Sequence, residues 1–154
     1  MPFPVLFDPD ECDVRELWMP PALVTTLTQK DPKKARDYCA NVRAYLGRFV
    51  KGDPRIDNCD YMKLLKSDIF EMRVQNQKRG EKLRIFGAFG EVDKFVALFC
   101  RYRHYFGGRS DPKWDHEINR AIACWDDLFP GCHRMKARPF SNCVSNGVDI
   151  PIGE

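Results

Sequence analysis

At 154 residues and 17.9 kDa the chain suits one compact domain with a buried core, and 44% hydrophobic with 31% charged residues is ordinary globular composition. No apolar run approaches the ~18–20 residues that span a bilayer, so no membrane partner is expected. The formal charge is only +3 but uneven: residues 31–59 carry seven basic against four acidic residues, residues 60–109 eleven against six, and both ends are net acidic, so the middle of the chain suits a polyanion.

The opening "MPFPVLFDPDECDVRE" has no positive flank and turns acidic at once, which predicts no signal peptide. The seven cysteines are odd in number, and Cys39, Cys100 and Cys124 sit in apolar patterns as small hydrophobes, so reduced thiols and a cytoplasmic location are expected. "PPALVTTLTQ" predicts a short helix with proline in its first turn. In "DPKKARDYCANVRAYLGRFVKG", Asp31 and Pro32 cap a second helix. Its stripe runs through Ala35, Tyr38, Cys39, Val42, Tyr45, Leu46 and Phe49, and Gly52 ends it. Its other face shows Lys33, Lys34, Arg36, Arg43 and Arg48, either a solvated face or a contact for phosphates or an acidic partner.

Residues 52–68 predict a loop with an extended end. Three strand-like runs follow, "IFEMRV", "KLRIFGAF" and "KFVALFCRYR", joined by short connections that predict an antiparallel meander. Asp111 and Pro112 then start a last helix with a stripe of Trp114, Ile118, Ala121, Ile122, Trp125, Leu128 and Phe129, stopped by "PG". The predicted class is α+β, one domain over residues 1–129 with its core at 20–129, followed by a tail at 130–154 that is either a docking arm or disordered. Cys124, Cys132, His133 and Cys143 form the one metal-like set, but they lack a CxxC pair, and no metal or other cofactor is expected.

Alternate residues of a strand share a face. Unbroken alternation in the third run puts Val96, Leu98, Cys100, Tyr102 and His104 on one face, and Phe95, Ala97, Phe99, Arg101 and Arg103 on the other. Arg73 lies opposite Phe70 and Met72, and Arg84 stands inside an apolar run. A guanidinium in a strand costs free energy unless it is paired or reaches water. Either carboxylates such as Glu71 pair these arginines, or several arginines surround one anion. Phosphate suits the second arrangement, because the guanidinium fork matches its oxygens. His104, with a reference pKa of ~6.5, is either an exposed strand-end residue or a proton carrier. Tyr102 and Tyr105 are either stacking surfaces for bases or packing aromatics.

In their order and spacing, "LLKSDIFEMRV", "EKLRIFGAF", "KFVALFCRYRH" and "DPKWDHEINRAIACW" resemble the HigB-like branch of the RelE/ParE toxin superfamily, over about residues 60–129. The resemblance implies a RelE-like fold, an N-terminal helical hairpin packed on a small antiparallel sheet with a C-terminal helix. It implies the toxin of a type II toxin–antitoxin system that cleaves messenger RNA on the ribosome without a metal, with a cognate antitoxin of helix-turn-helix type as partner. By motif match it assigns Arg73, Arg84 and Arg103 to stabilising charge and His104 to moving protons, with Arg101, Tyr102 and Tyr105 on the RNA. Lys33, Lys34, Arg36 and Arg43 would then touch ribosomal RNA. The "RYRH" end, Arg101 and the loop "YFGGRSD" depart from the family pattern. Two other readings stay open: a ParE-like inhibitor of DNA gyrase that acts by binding, and a non-catalytic binding protein on the same scaffold.

Overall fold

Alternation in "FEMRVQN" and the aromatic and β-branched residues of "KFVALFCRY" favour extended chain. The computed structural model, which describes residues 15–28, 35–52, 61–76 and 81–145, forms strands there. Its elements are β1 (Glu16–Trp18), α1 (Pro21–Thr28), α2 (Ala35–Val50), β2 (Met62–Leu64), β3 (Phe70–Asn76), β4 (Glu81–Glu91), β5 (Lys94–Tyr102) and α3 (Lys113–Leu128). A 3-10 turn, Arg103–Tyr105, follows β5 directly. The strands form one sheet in the order β1-β5-β4-β3-β2.

The class is α+β, but the sheet is larger than predicted and is mixed rather than antiparallel. β2 to β5 pair antiparallel, and β1 joins the far side of β5 in parallel. With three residues each, β1 and β2 are too short to show a period. Position comes to β1 from elsewhere: the Arg15 amide donates to Val50 O at 3.0 Å and its guanidinium to Phe49 O at 3.1 Å. The end of α2 thus fixes the start of β1.

The sheet divides two apolar clusters. On one face, Leu23 and Leu27 of α1 and Val42, Leu46 and Phe49 of α2 cover Phe70, Met72, Leu83, Ile85, Phe89 and Phe95. On the other, Ile118, Ala121 and Trp125 of α3 cover Phe86, Ala88, Val96, Leu98 and Phe99. Gly52, at φ 79°, takes the left-handed conformation that ends α2. The predicted cap Asp31–Pro32 lies outside the described residues. Asp111 caps α3, its Oδ1 accepting from the Lys113 amide at 2.9 Å. Leu128, counted in the α3 stripe from its spacing, is 40% exposed, while Phe129 after it packs against the cluster beside Trp125.

One irregularity changes the predicted faces of β5. Phe86 pairs with Phe99 while Gly87 pairs with Ala97, so Leu98 is an extra residue, a β-bulge. Val96 and Leu98 therefore share a cluster with Phe99, and Phe95 and Ala97 share one with Cys100. Alternation resumes with the opposite parity: Arg101 pairs with Arg84 on the α3 side, and Tyr102 pairs with Leu83 on the α2 side.

Part of the predicted tail docks on the first cluster. Ala137, Phe140, Cys143 and Val144 are buried there, with the Phe140 ring 6.0 Å from Phe70 and 6.2 Å from Phe89. The Met135 amide donates to Phe89 O at 2.9 Å, and the Asp93 amide to Cys143 O at 2.8 Å. Among the described residues, no helix is long and apolar enough to cross a membrane.

The bulge makes Gly87 the least replaceable glycine of β4. A Cβ there would collide with Val96 O and lie 2.6 Å from the Phe95 ring. Gly87→Ala is therefore expected to lower the urea midpoint by an amount equivalent to about 1–3 kcal/mol. An unchanged unfolding curve would show that the bulge has room to spare.

Candidate functional site

The pairing register places three arginines side by side on one face of the sheet: Arg73 of β3 opposite Arg84 of β4, and Arg84 opposite Arg101 of β5. Like charges in direct cross-strand register repel. Two carboxylates make the arrangement possible. Glu71, two residues before Arg73 and so on the same face, is 1% exposed. Its Oε1 accepts from Arg73 Nε at 2.8 Å and pairs with Arg73 Nη2 at 2.7 Å, while its Oε2 lies 3.5 Å from Arg84 Nε. On the other side Glu117 of α3, also 1% exposed, pairs with Arg101 Nε at 3.4 Å and with Arg120 Nη1 at 3.7 Å.

Arg101 is thus drawn toward α3, and its guanidinium lies over the rings of Phe99 at 5.4 Å and Tyr105 at 5.8 Å. The third arginine beside Arg73 and Arg84 is instead Arg103, from the turn after β5. Its Nη1 donates to Phe106 O at 2.9 Å and Gly107 O at 3.1 Å, which fixes it over the Trp114 ring at 5.6 Å.

Arg73, Arg84 and Arg103 line one cleft of about 600 Å³ between the sheet, the start of α3 and the turn that leads into β3. Lys63, Lys66 and Arg109 bring its basic residues to six, against the three acidic residues Glu71, Asp111 and Asp115. All three acids are already engaged, Glu71 by the arginines themselves. Asp115 pairs with Lys66 at 2.7 Å, and Asp111 accepts from the backbone amides of Lys113 and Gly107, which hold its carboxyl below the usual range. Arg84 is 5% exposed; its Nη1 donates to Leu83 O at 3.2 Å, while its Nε, facing Glu71, has no hydrogen-bond partner among the described residues. Burial, with Arg73 and Arg103 nearby, pulls Arg84 below its ordinary pKa against the upward pull of Glu71. A bound anion would favour this crowded guanidinium.

The rest of the predicted set lies elsewhere. Tyr102 and His104 stack on each other with centroids 5.4 Å apart, and neither lines the cleft, because the bulge turned Tyr102 to the opposite face of the sheet. Tyr105 is exposed beside Lys113, whose Nζ sits 4.9 Å over its ring. Arg43 is exposed on α2, far along the chain from the cleft wall, while Lys33, Lys34 and the Arg36 side chain lie outside the described residues. Sequence reasoning missed Lys63, Lys66, Arg109 and Trp114 as cleft residues. The one available signal was the basic pair in "KLLK" just before β3.

The cleft rim is braced by the tail. The turn between β2 and β3 runs through Ser67 and Asp68 at φ 55° and 61°, unusual for residues with a Cβ. Asp68 Oδ1 accepts from the Ala137 amide at 3.0 Å, and Arg134 Nε donates to Ser67 O at 3.3 Å. Among the described residues, no group of three or more histidine, cysteine, aspartate or glutamate side chains is placed to hold a metal ion. The sheet separates Cys124, which packs with the α3 cluster, from Cys143, which is buried in the other.

Two measurements check this site. Glu71→Gln removes the carboxylate that two guanidiniums share, so a loss of about 3–5 kcal/mol of stability is expected, partly restored by added phosphate. A variant as stable as the parent would mean that the arginines do not need Glu71. Burial, with a smaller push from Asp68, raises the Cys143 thiol to about 12, so native protein at pH 8 is expected to keep Cys143 unlabelled by a thiol reagent while exposed Cys132 reacts. Equal labelling rates would show that the tail opens freely. No family model matches the chain and no curated protein matches it, so the functional reading rests on the chemistry of the cleft and on the sequence pattern.

Proposed function

We propose that the chain is a RelE/ParE-type toxin of a type II toxin–antitoxin system, an endoribonuclease that cuts messenger RNA on the ribosome. One observation carries the reading: Arg73, Arg84 and Arg103, assigned separately by motif match, line a single cleft with a basic surplus. The order of two helices, three central antiparallel strands and a helix supports a RelE-like arrangement, to which β1, β2 and the docked tail are additions.

In the proposed reaction the ribose 2′-hydroxyl attacks the adjacent phosphorus, forming a 2′,3′-cyclic phosphate and releasing the 5′-oxygen of the next nucleotide. Negative charge grows on the non-bridging oxygens. Guanidiniums fixed beforehand by Glu71 and by the carbonyls of Phe106 and Gly107 stabilise it without having to reorganise. A base takes the 2′ proton and an acid protonates the leaving oxygen. His104, next to Arg103 in sequence, is the residue that the motif match assigns to this role; it stands outside the cleft, stacked on Tyr102, and would have to swing into it to reach the reacting oxygens. The same placement favours the second reading, gyrase inhibition by binding alone, which needs no proton carrier in the cleft.

Induced expression in a bacterium, with mapping of messenger RNA ends, separates the two readings. The nuclease reading expects growth arrest with codon-phased cuts, and Arg103→Ala is expected to slow cutting about 10²–10³-fold. His104→Ala is expected to slow it at least about 10²-fold while leaving RNA binding intact. Arrest with intact messages would overturn the nuclease and favour gyrase; absence of arrest would favour a non-catalytic binding protein.

A further inference from the structure

We infer that the cleft takes one nucleotide of a single strand as a unit, its phosphate on Arg84 and Arg103 and its base against Trp114. This rests on the reading of the chain as an RNA-cutting toxin, and it names the residue that meets the base. The tyrosines expected to stack on RNA stand outside the cleft, whereas Trp114, which spacing alone assigns to the apolar stripe of α3, lines it.

The Trp114 ring is held in advance. It stacks on Phe106 with centroids 3.9 Å apart and planes 11° from parallel, and its Nε1 donates to Gly108 O at 3.2 Å. A ring already fixed loses little freedom when a ligand packs on it. Leu64, Leu65 and Ile118 line the same cleft, so an apolar wall adjoins a group of guanidiniums. A nucleotide has the matching division, a flat apolar base beside an anion. Arg84 is held in place as well: it is 5% exposed, lines the cleft, faces Glu71 through Nε at 3.5 Å and donates from Nη1 to Leu83 O at 3.2 Å. Arg103 links the two halves, since its guanidinium lies over Trp114 and beside the phosphate position.

The volume of about 600 Å³ is that of a site for a small molecule, and no duplex enters it. A base inside a duplex is covered on both faces by its neighbours and reaches such a cleft only when it is unstacked. The substrate class is therefore single-stranded, with one base withdrawn from its neighbours.

The test compares a single-stranded RNA hexanucleotide with an abasic strand of the same length and the same phosphates, at one salt concentration. The intact strand is expected to bind at least about tenfold tighter and to change the tryptophan fluorescence, while the abasic strand leaves it unchanged. Trp114→Leu is expected to remove both the preference and the fluorescence change. Trp114→Phe is expected to keep part of the preference. Equal affinity of the unaltered protein for the two strands overturns the inference, and that comparison needs no variant to fold. A preference that survives Trp114→Leu overturns it as well. Messenger cuts in cells alongside equal affinities would sink the nucleotide site and leave the nuclease; base-dependent binding without cuts would do the reverse.

Discussion

Glu71 is a single carboxylate in nearly complete burial, with Arg73 on one oxygen and Arg84 facing the other. In water each of these contacts would contribute little; under a sheet and a helix, where the effective dielectric is lower, they govern the placement of everything around them. One negative charge cannot neutralise two guanidiniums in register, and Arg103 arrives from the next strand's end to make a third. The cleft is therefore left with a positive surplus that its own side chains do not cancel. A buried ion pair contributes weakly to stability because of its desolvation. Here its result is geometric, since it holds two cations at a fixed height above the strands.

The two faces of the sheet divide the labour. One is filled by Phe49, Phe70, Phe89, Phe95 and Phe140, whose edge and tilted contacts make a dense aromatic core. The other is apolar only toward the β4–β5 turn, where α3 covers Phe86, Ala88 and Leu98, and becomes cationic toward the far end of β4. The packed face supplies rigidity, and the mixed face supplies a concave site beside a helix. The docked tail connects them, because the segment that places Phe140 in the core also binds the Ser67–Asp68 turn at the cleft rim.

The long elements were legible in the sequence because their signals repeat: the stripe of Val42, Leu46 and Phe49, the alternation around Arg73, and the cap at Asp111. β1 was not legible, since a three-residue parallel strand owes its existence to Arg15 and the end of α2 rather than to any local pattern. The apolar runs showed only that Arg73, Arg84 and the Arg101–Arg103 stretch interrupt or end them; it was the resemblance that named Arg73, Arg84 and Arg103 as a group. Which of Arg101 and Arg103 would join the cleft was not legible; that depends on one extra residue in β5 and on Glu117 reaching over from α3. Trp114 was read as core for a sound reason, its helical spacing, and its ring does stack on Phe106 at the edge of the α3 cluster.

The extra residue at Leu98 has an evolutionary reach beyond its local kink. The sides of β5 beyond the bulge are set by its pairing with β4: without Leu98, plain alternation from Ala97 would still put Phe99 opposite Phe86, Arg101 opposite Arg84 and Tyr102 opposite Leu83. Loss of that one codon would close the bulge and leave the guanidiniums on their present face, whereas loss of a second residue would exchange the two sides for everything downstream. Among diverging copies of this chain, β5 should therefore absorb a one-residue deletion at this point better than elsewhere along the strand.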